Sequence, residues 1–233
     1  YLLQHFKAMG VPVLGVEPTA NTAQVAIKER GIPTEVTFFN AATGRDLAAR
    51  GIAADLMAGN NVLAHVPDIG DFVAGFQHVL KPQGVLLLST FGPGALLEVR
   101  ETVAREDDTP HVSPFADIAG FGDALVRAGF HQPVLDREVE TTHYPDLPAL
   151  MRELRAIGAT NALASRRHTL TGRARFAAAA AAYEAHRDAQ GLPATWETIS
   201  AMAWAPEAGT PLREGDVDVA SIPLSRIPIR RRG

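Results

Sequence analysis

Four short apolar runs, set between stretches of helical texture, constrain this chain more than any other feature. Val11-Pro12-Val13-Leu14-Gly15-Val16 stops at Glu17-Pro18, Glu35 to Phe39 forms a second run, Ala54 to Gly59 leads into Asn60-Asn61, and Val85 to Thr90 is almost wholly apolar. Runs of this length, bounded by turn residues, read as strands buried on both faces. Between them Asn21 to Arg30, Thr43 to Arg50 and Ile69 to Leu80 read as helices, and Leu2 to Met9 as a helix stopped at Gly10. Strand and helix in alternation predict an α/β, doubly wound, mostly parallel sheet. At 233 residues the chain is long enough for one domain with a sizeable core.

Beyond Thr90 the texture changes. Phe91-Gly92-Pro93-Gly94 reads as a loop, Ala95 to Arg105 and Asp117 to Ala128 as helices, and Pro133 to Tyr144 as a strand. Two further helices, Pro148 to Ile157 and Thr171 to Ala189, precede a last strand from Trp196 to Trp204. The alanine run 177–182 is explained by helix propensity, Trp196 and Trp204 recur at strand spacing as core residues, and residues 207–233 read as a loose tail. The predicted organisation is a core over 1–144 and 194–206, a helical insertion over 145–193, and a tail over 207–233.

Composition removes several classes of function. A 46% hydrophobic content with a net charge of −4 excludes a disordered chain and the strongly basic footprint of a nucleic-acid binder. The absence of cysteine excludes a disulfide framework, a thiolate zinc site and a thiol nucleophile, and fits a reducing cytoplasm. The eight histidines lack HExxH or other ligand spacing, so no metal is expected. There is neither a P-loop nor a GxSxG elbow, and no apolar run reaches the roughly 18 residues of a membrane span. Charge is uneven, however: over 152–187 seven arginines face Glu153 and Glu184, about +5. Such a patch is either a solvated helical face or a dock for an acidic partner or carboxylate.

In a doubly wound fold the ligand lies beyond the carboxyl ends of the strands. Glu17 stands there, where an acid can accept both hydroxyls of a ribose. Asn60 and Asn61 bring amide groups to the same rim, His65 follows four residues on as a base or an ordinary loop histidine, and Asn40 occupies the corresponding place after the second run. Gly92-Pro93-Gly94 is too short for a phosphate cradle, and its proline removes an amide.

Two resemblances stand on specific strings. Residues 1–88, through YLLQHF, VPVLGVEPTANTA, GIPTEVTFF and NNVLAHVPDIGDFVAGFQHVLKPQGV, resemble class I S-adenosylmethionine-dependent sugar C-methyltransferases of the nucleotide-deoxysugar type. From about Ser89 to 206, through STFGPGALLEVRE, DDTPHVSPFADI, LVRAGFHQPVLD, MRELRAIGATNA, LTGR and LPATWETISAMAWAP, the chain resembles malonyl-acyl-carrier-protein O-methyltransferase of biotin synthesis. Both imply one Rossmann-like sheet with S-adenosylmethionine held by Glu17, Asn40, Asn60, Asn61 and His65. The second implies a malonyl thioester on acyl carrier protein or coenzyme A as acceptor, with Arg155, Arg166 and His111 on the substrate side and no nucleic acid, membrane or metal. Acyl carrier proteins are acidic, so the arginine-rich stretch is expected to dock one.

The chain departs from those families twice. The tyrosine- and histidine-rich motif of the C-methyltransferases is missing after Thr90. Carbon alkylation beside a ketone needs a base, whereas a carboxylate is already ionised and needs only placement. Malonyl O-methylation is therefore the expected reaction, with sugar or small-molecule C-methylation and a non-catalytic, carrier-binding remnant as alternatives. In both families a glycine-bearing loop and its strand precede the residues matching Tyr1-Leu2-Leu3. The expectation is a fragment lacking its central first strand, with a gap between the strands ending at Glu17 and Asn61.

Overall fold

A computed structural model describes residues 2–63, 66, 68–104, 117–156, 172–207, 212–214 and 217–219. Helix α1 (Leu3–Ala8) leads to β1 (Gly15–Val16), α2 (Ala20–Arg30), β2 (Thr34–Glu35), α3 (Ala41–Ala49), β3 (Ala54–Asn60), α4 (Ile69–Val79) and β4 (Leu80–Phe91). Then come α5 (Leu97–Ala104), α6 (Ile118–Arg127), β5 (His131–Tyr144), α7 (Leu147–Ala156), α8 (Arg173–Tyr183), β6 (Leu192–Trp204) and the short strands β7 (Leu212–Glu214) and β8 (Val217–Val219). The expected alternation holds through β4, and beyond it helices and strands follow one another in groups. Local chemistry sets several boundaries: Gly31 closes α2 in the left-handed conformation (φ 61°). Asn40, Asp68 and Asp117 cap α3, α4 and α6 by accepting backbone N–H groups of Thr43, Asp71 and Gly120.

The strands form separate sheets. β1 pairs in parallel with β2, and a four-stranded sheet runs β3-β4-β6-β5, with β3 parallel to β4 and β6 antiparallel to both its neighbours. Thus β1 and β3, the strands expected to flank a central one, are not hydrogen-bonded to each other. The first two strands are correspondingly short, two residues each where the sequence predicted six and five. A strand paired along one edge keeps regular geometry only where that partner holds it. Two other predictions also shift. Lys81-Pro82-Gln83-Gly84, read as a turn, lies within the bounds of β4 as an irregularity in its register with β3, with Gln83 left-handed (φ 61°), and the tail read as loose contains the antiparallel pair β7–β8.

The two units are joined by helix packing rather than by sheet. Phe39, just after β2, packs edge-on against Phe72 and tilted against Phe76 of α4, with centroids 5.8 and 4.6 Å apart. Alongside, α3 and α4 approach closely enough that a Cβ on Gly75 would lie 2.6 Å from the Asn40 carbonyl oxygen. On the four-stranded sheet, α4 and α6 cover one face around Phe72, Phe76, Leu86, Leu88, Phe121, Leu125 and Ile199. On the other face a groove of about 330 Å³ runs over two registered rows: Leu87, Met202 and Val134, then Asn60, Ser89, Ser200 and Asp136. A second apolar cluster joins Leu96 and Val99 to Tyr144, Leu147, Leu150, Leu154, Tyr183, Leu192 and Ala194. It forms where β5 and β6 run on past the end of β4 as a two-stranded ribbon.

The α3–α4 contact is open to test. Gly75→Ala forces two backbones apart and is expected to cost roughly 1–3 kcal/mol, read as a lower midpoint in urea. Gly122→Ala, whose Cβ would sit an ordinary 3.5 Å from Leu135, leaves the midpoint unchanged or raised, because alanine is the better helix former. Equal losses from both would contradict the packing described.

Candidate functional site

The carboxyl ends of the parallel strands carry the residues that the sequence singled out. Glu17 follows β1 directly. It is half-buried, its Oε1 accepts the Thr19 N–H at 2.8 Å, and its own N–H donates to the Glu35 carbonyl across the β1–β2 pair. Asn40, after β2, uses its side-chain oxygen to cap α3, accepting the Thr43 N–H at 2.9 Å. Asn60 ends β3, exposed, and accepts the Ser89 hydroxyl at 3.3 Å. Asn61 next to it is left-handed (φ 53°), a conformation asparagine tolerates, and donates its N–H to the Ser89 carbonyl at 2.7 Å. Asn60 and Asn61 are thereby held together at one rim with Ser89. Glu17 and Asn40 share the neighbouring β1–β2 unit, which the Phe39 contacts fasten to α4.

The residues expected on the substrate side are less concentrated. Arg155 is exposed on α7, as are Arg152 on the same helix and Arg173 on α8. Arg187 donates to both oxygens of Glu184 and to the Pro145 carbonyl. His65, His111 and Arg166 lie outside the described residues.

One group that the sequence reading passed over stands at the foot of the ribbon. Glu197 of β6 is 3% exposed, a rare position for a carboxylate unless its charge is answered. One oxygen accepts the Gly94 N–H and the other accepts Nε–H of Arg137 at 2.5 Å, while the Glu197 carbonyl accepts the Gly92 N–H. The β4–α5 loop closes over this side chain because it carries glycine; a Cβ on Gly92 would lie 2.6 Å from the Glu197 carboxyl carbon. Arg100 of α5 donates to the Pro93 carbonyl of the same loop. A signal was available: Glu197 falls in the inward register of a strand whose other inward positions, Ile199, Ala201 and Ala203, are apolar.

Comparison with known proteins bears on the fold and on the kind of protein. Residues 1–88 match the family model described as a methyltransferase domain. A Bacillus halodurans structure described as a methyltransferase superposes with a TM-score of 0.52 at 16% identity, covering 88% of this chain and 87% of that one. The chain has a class I methyltransferase fold. A malonyl-[acyl-carrier protein] O-methyltransferase of Xylella fastidiosa is 52% identical over 189 residues, 81% of this chain and 64% of its own length. One of that name from a Methylovorus species is 42% identical over 72% of this chain and 56% of its own. A Dictyostelium discoideum protein named as a mitochondrial arginine-hydroxylase is 35% identical over 69% of this chain and 39% of its own. The chain thus spans less than two thirds of the length of these relatives. A match covering 81% of the chain crosses Ser89, so the resemblance to the Xylella protein is not confined to the part beyond that residue.

In this fold the second apolar cluster forms a cap beyond the sheet, and two polar side chains at it are tied inward. Tyr183 is fully buried and donates to the Pro193 carbonyl, and Glu98 accepts both the N–H and the hydroxyl of Thr195. Burial pushes the Tyr183 phenol up, reinforced by the Glu98 charge and by Tyr144; Tyr144 is raised as well, by burial and then by Glu153. Both phenols are therefore held neutral by the fold. Their contribution to stability is complete below the ordinary tyrosine range near pH ~10 and is lost as pH rises from there through the folded values. Near-ultraviolet circular dichroism of the cap is expected to collapse above about pH 10, with tyrosinate absorbance rising in the same transition. Ionisation of these two tyrosines at the ordinary value, without loss of dichroism, would contradict this placement.

Proposed function

We propose that the chain carries out S-adenosylmethionine-dependent O-methylation of the free carboxylate of a malonyl thioester on acyl carrier protein or coenzyme A, in the cytoplasm. The observation that carries this reading is the 52% identity to the Xylella O-methyltransferase over 81% of the chain, a stretch long enough to include rim and cap together. The rim suits the donor in its chemistry. Glu17 keeps one carboxylate oxygen free of the Thr19 contact and can accept ribose hydroxyls, while Asn40, Asn60 and Asn61 offer amide and carbonyl groups to polar ends of the same molecule, with His65 following in sequence. When bound, S-adenosylmethionine supplies an electrophilic methyl on sulfonium sulfur.

The residues on the acceptor side position and desolvate. A carboxylate is ionised at neutral pH, so the site requires no general base. It must hold one oxygen in line with the methyl and keep water out. The helical insertion at 145–193, added to a core of 1–144 and 194–206, serves that purpose through the cap, and its exposed Arg152, Arg155 and Arg173 offer a positive face to an acidic carrier. Arg155, Arg166 and His111 are the assigned acceptor contacts.

The reading is tested with methyl-labelled S-adenosylmethionine and three acceptors: malonyl-carrier protein, malonyl-coenzyme A and a nucleotide-linked ketosugar. Base-labile label on a malonyl acceptor is expected, and Glu17→Ala is expected to weaken donor binding roughly tenfold. Label on the sugar, or hydroxylation of an arginine peptide (the chemistry in the Dictyostelium relative's name) without malonyl ester, would overturn it.

A further inference from the structure

We propose that Arg137, held by buried Glu197 and accompanied by Arg100, forms an anion site at the foot of the cap for the phosphate at the far end of the acceptor's pantetheine arm. This deepens the reading above and rests on it for the identity of the acceptor.

Position is the first argument. In the β4–β6 register Phe91 lies opposite Thr198, which places Glu197 level with Gly92, just beyond the carboxyl end of β4. Ligands bind at that rim in such sheets. Arg137 is on the strand beyond, opposite Ile199, on the same face as Glu197. By strand alternation its acidic neighbours Asp136 and Glu138 project to the other face.

Geometry is the second. Arg137 donates Nε–H to Glu197, and its side chain is 54% exposed while that of Glu197 is 4% exposed. The buried carboxylate thus locks the guanidinium from the side, and among the described residues nothing engages its Nη1/Nη2 end. That end is the fork that receives two oxygens of a phosphate or carboxylate. Arg100 presents a second guanidinium against Pro93 of the loop that covers Glu197.

The acceptor's own chemistry decides which anion is held. Arg137 leans back to Glu197 on β6, two strands from β3 in the order β3-β4-β6-β5, about 10 Å from the Asn60 backbone at the usual strand spacing. The reacting carboxylate is committed to its place in line with the donor methyl, so the fork is left for a second anion of the same acceptor. Pantetheine is uncharged from the thioester to its phosphate, so the next anion along the acceptor is the phosphate. Carrier protein and coenzyme A both carry that group.

Isothermal titration of the chain with 4′-phosphopantetheine and with pantetheine reads the site without any turnover. The phosphorylated compound is expected to bind about tenfold more tightly, with the ratio falling toward one in Arg137→Gln and falling part-way in Arg137→Lys and Glu197→Gln. Arg127→Gln, on the outer face of α6, keeps the full ratio. Transfer assays with malonyl-phosphopantetheine, malonyl-pantetheine and malonyl-carrier protein should show the same ratio in KM for the first two, and a further gain for carrier protein measures what its protein surface adds. Equal affinity of the unmodified chain for the two arms overturns the site, as does a ratio that Arg137→Gln and Arg137→Lys leave unchanged in folded protein. Preferential binding of the phosphorylated arm with no methyl transfer leaves the site standing and overturns the reaction.

Discussion

A single carboxylate, that of Glu197, holds the β4–α5 loop and the β5–β6 ribbon together. An ionised group this deeply buried is tolerated only where donors meet it, and its donors come from two other elements: Gly94 in the β4–α5 loop and Arg137 on β5. One side chain therefore fixes where β4 ends, how α5 departs, and how the β5–β6 ribbon leaves the sheet. The cap core around Leu150, Tyr183 and Leu192 is built on elements that diverge from this point. The glycines of the loop follow from it, because a side chain on either would occupy the space of the glutamate.

The β1–β2 unit is held differently. β1 and β2 pair only with each other, and their attachment to the rest runs through Phe39 on Phe72 and Phe76 and through the close crossing of α3 and α4. Backbone hydrogen bonds set register within each sheet, and apolar packing sets the relation between them. Glu17 and Asn40 thus reach the rim through helix contacts, while Asn60 and Asn61 reach it through the β3–β4 ladder. The proposed reaction suits this division: the β1–β3 rim offers hydrogen-bonding groups to a donor, and the cap side supplies placement and exclusion of water for a nucleophile that is already charged.

Much of this was legible in the order of residues. The period of the apolar runs identified β1 to β6 and the intervening helices, and the strand ends identified Glu17, Asn60 and Asn61, because burial on both faces and polar termini leave a local mark. Asn40 was legible as a rim residue, but its role as the α3 cap was not, since a cap is recognised by the N–H that it meets. Lys81 to Gly84 kept their turn character inside β4, where the register with β3 jumps from Leu80 to Val85 and Gln83 is left-handed; that a strand begins before this irregularity is not marked in the local residues. Arg155 drew attention through the local excess of arginine, yet charge density in sequence says nothing of what stands opposite in space.

Sequence alone specified an α/β chain with polar residues at its strand ends, helices beyond Tyr144, and an uneven positive charge. These properties follow from periodicity and composition, which act between near neighbours. The separation of β1–β2 from the four-stranded sheet, the joining of Arg137 to Glu197 across 60 residues, and the closing of the glycine loop over them belong to the tertiary structure. Each depends on groups distant along the chain meeting at one depth of burial, where the cost of an unanswered charge leaves few arrangements open.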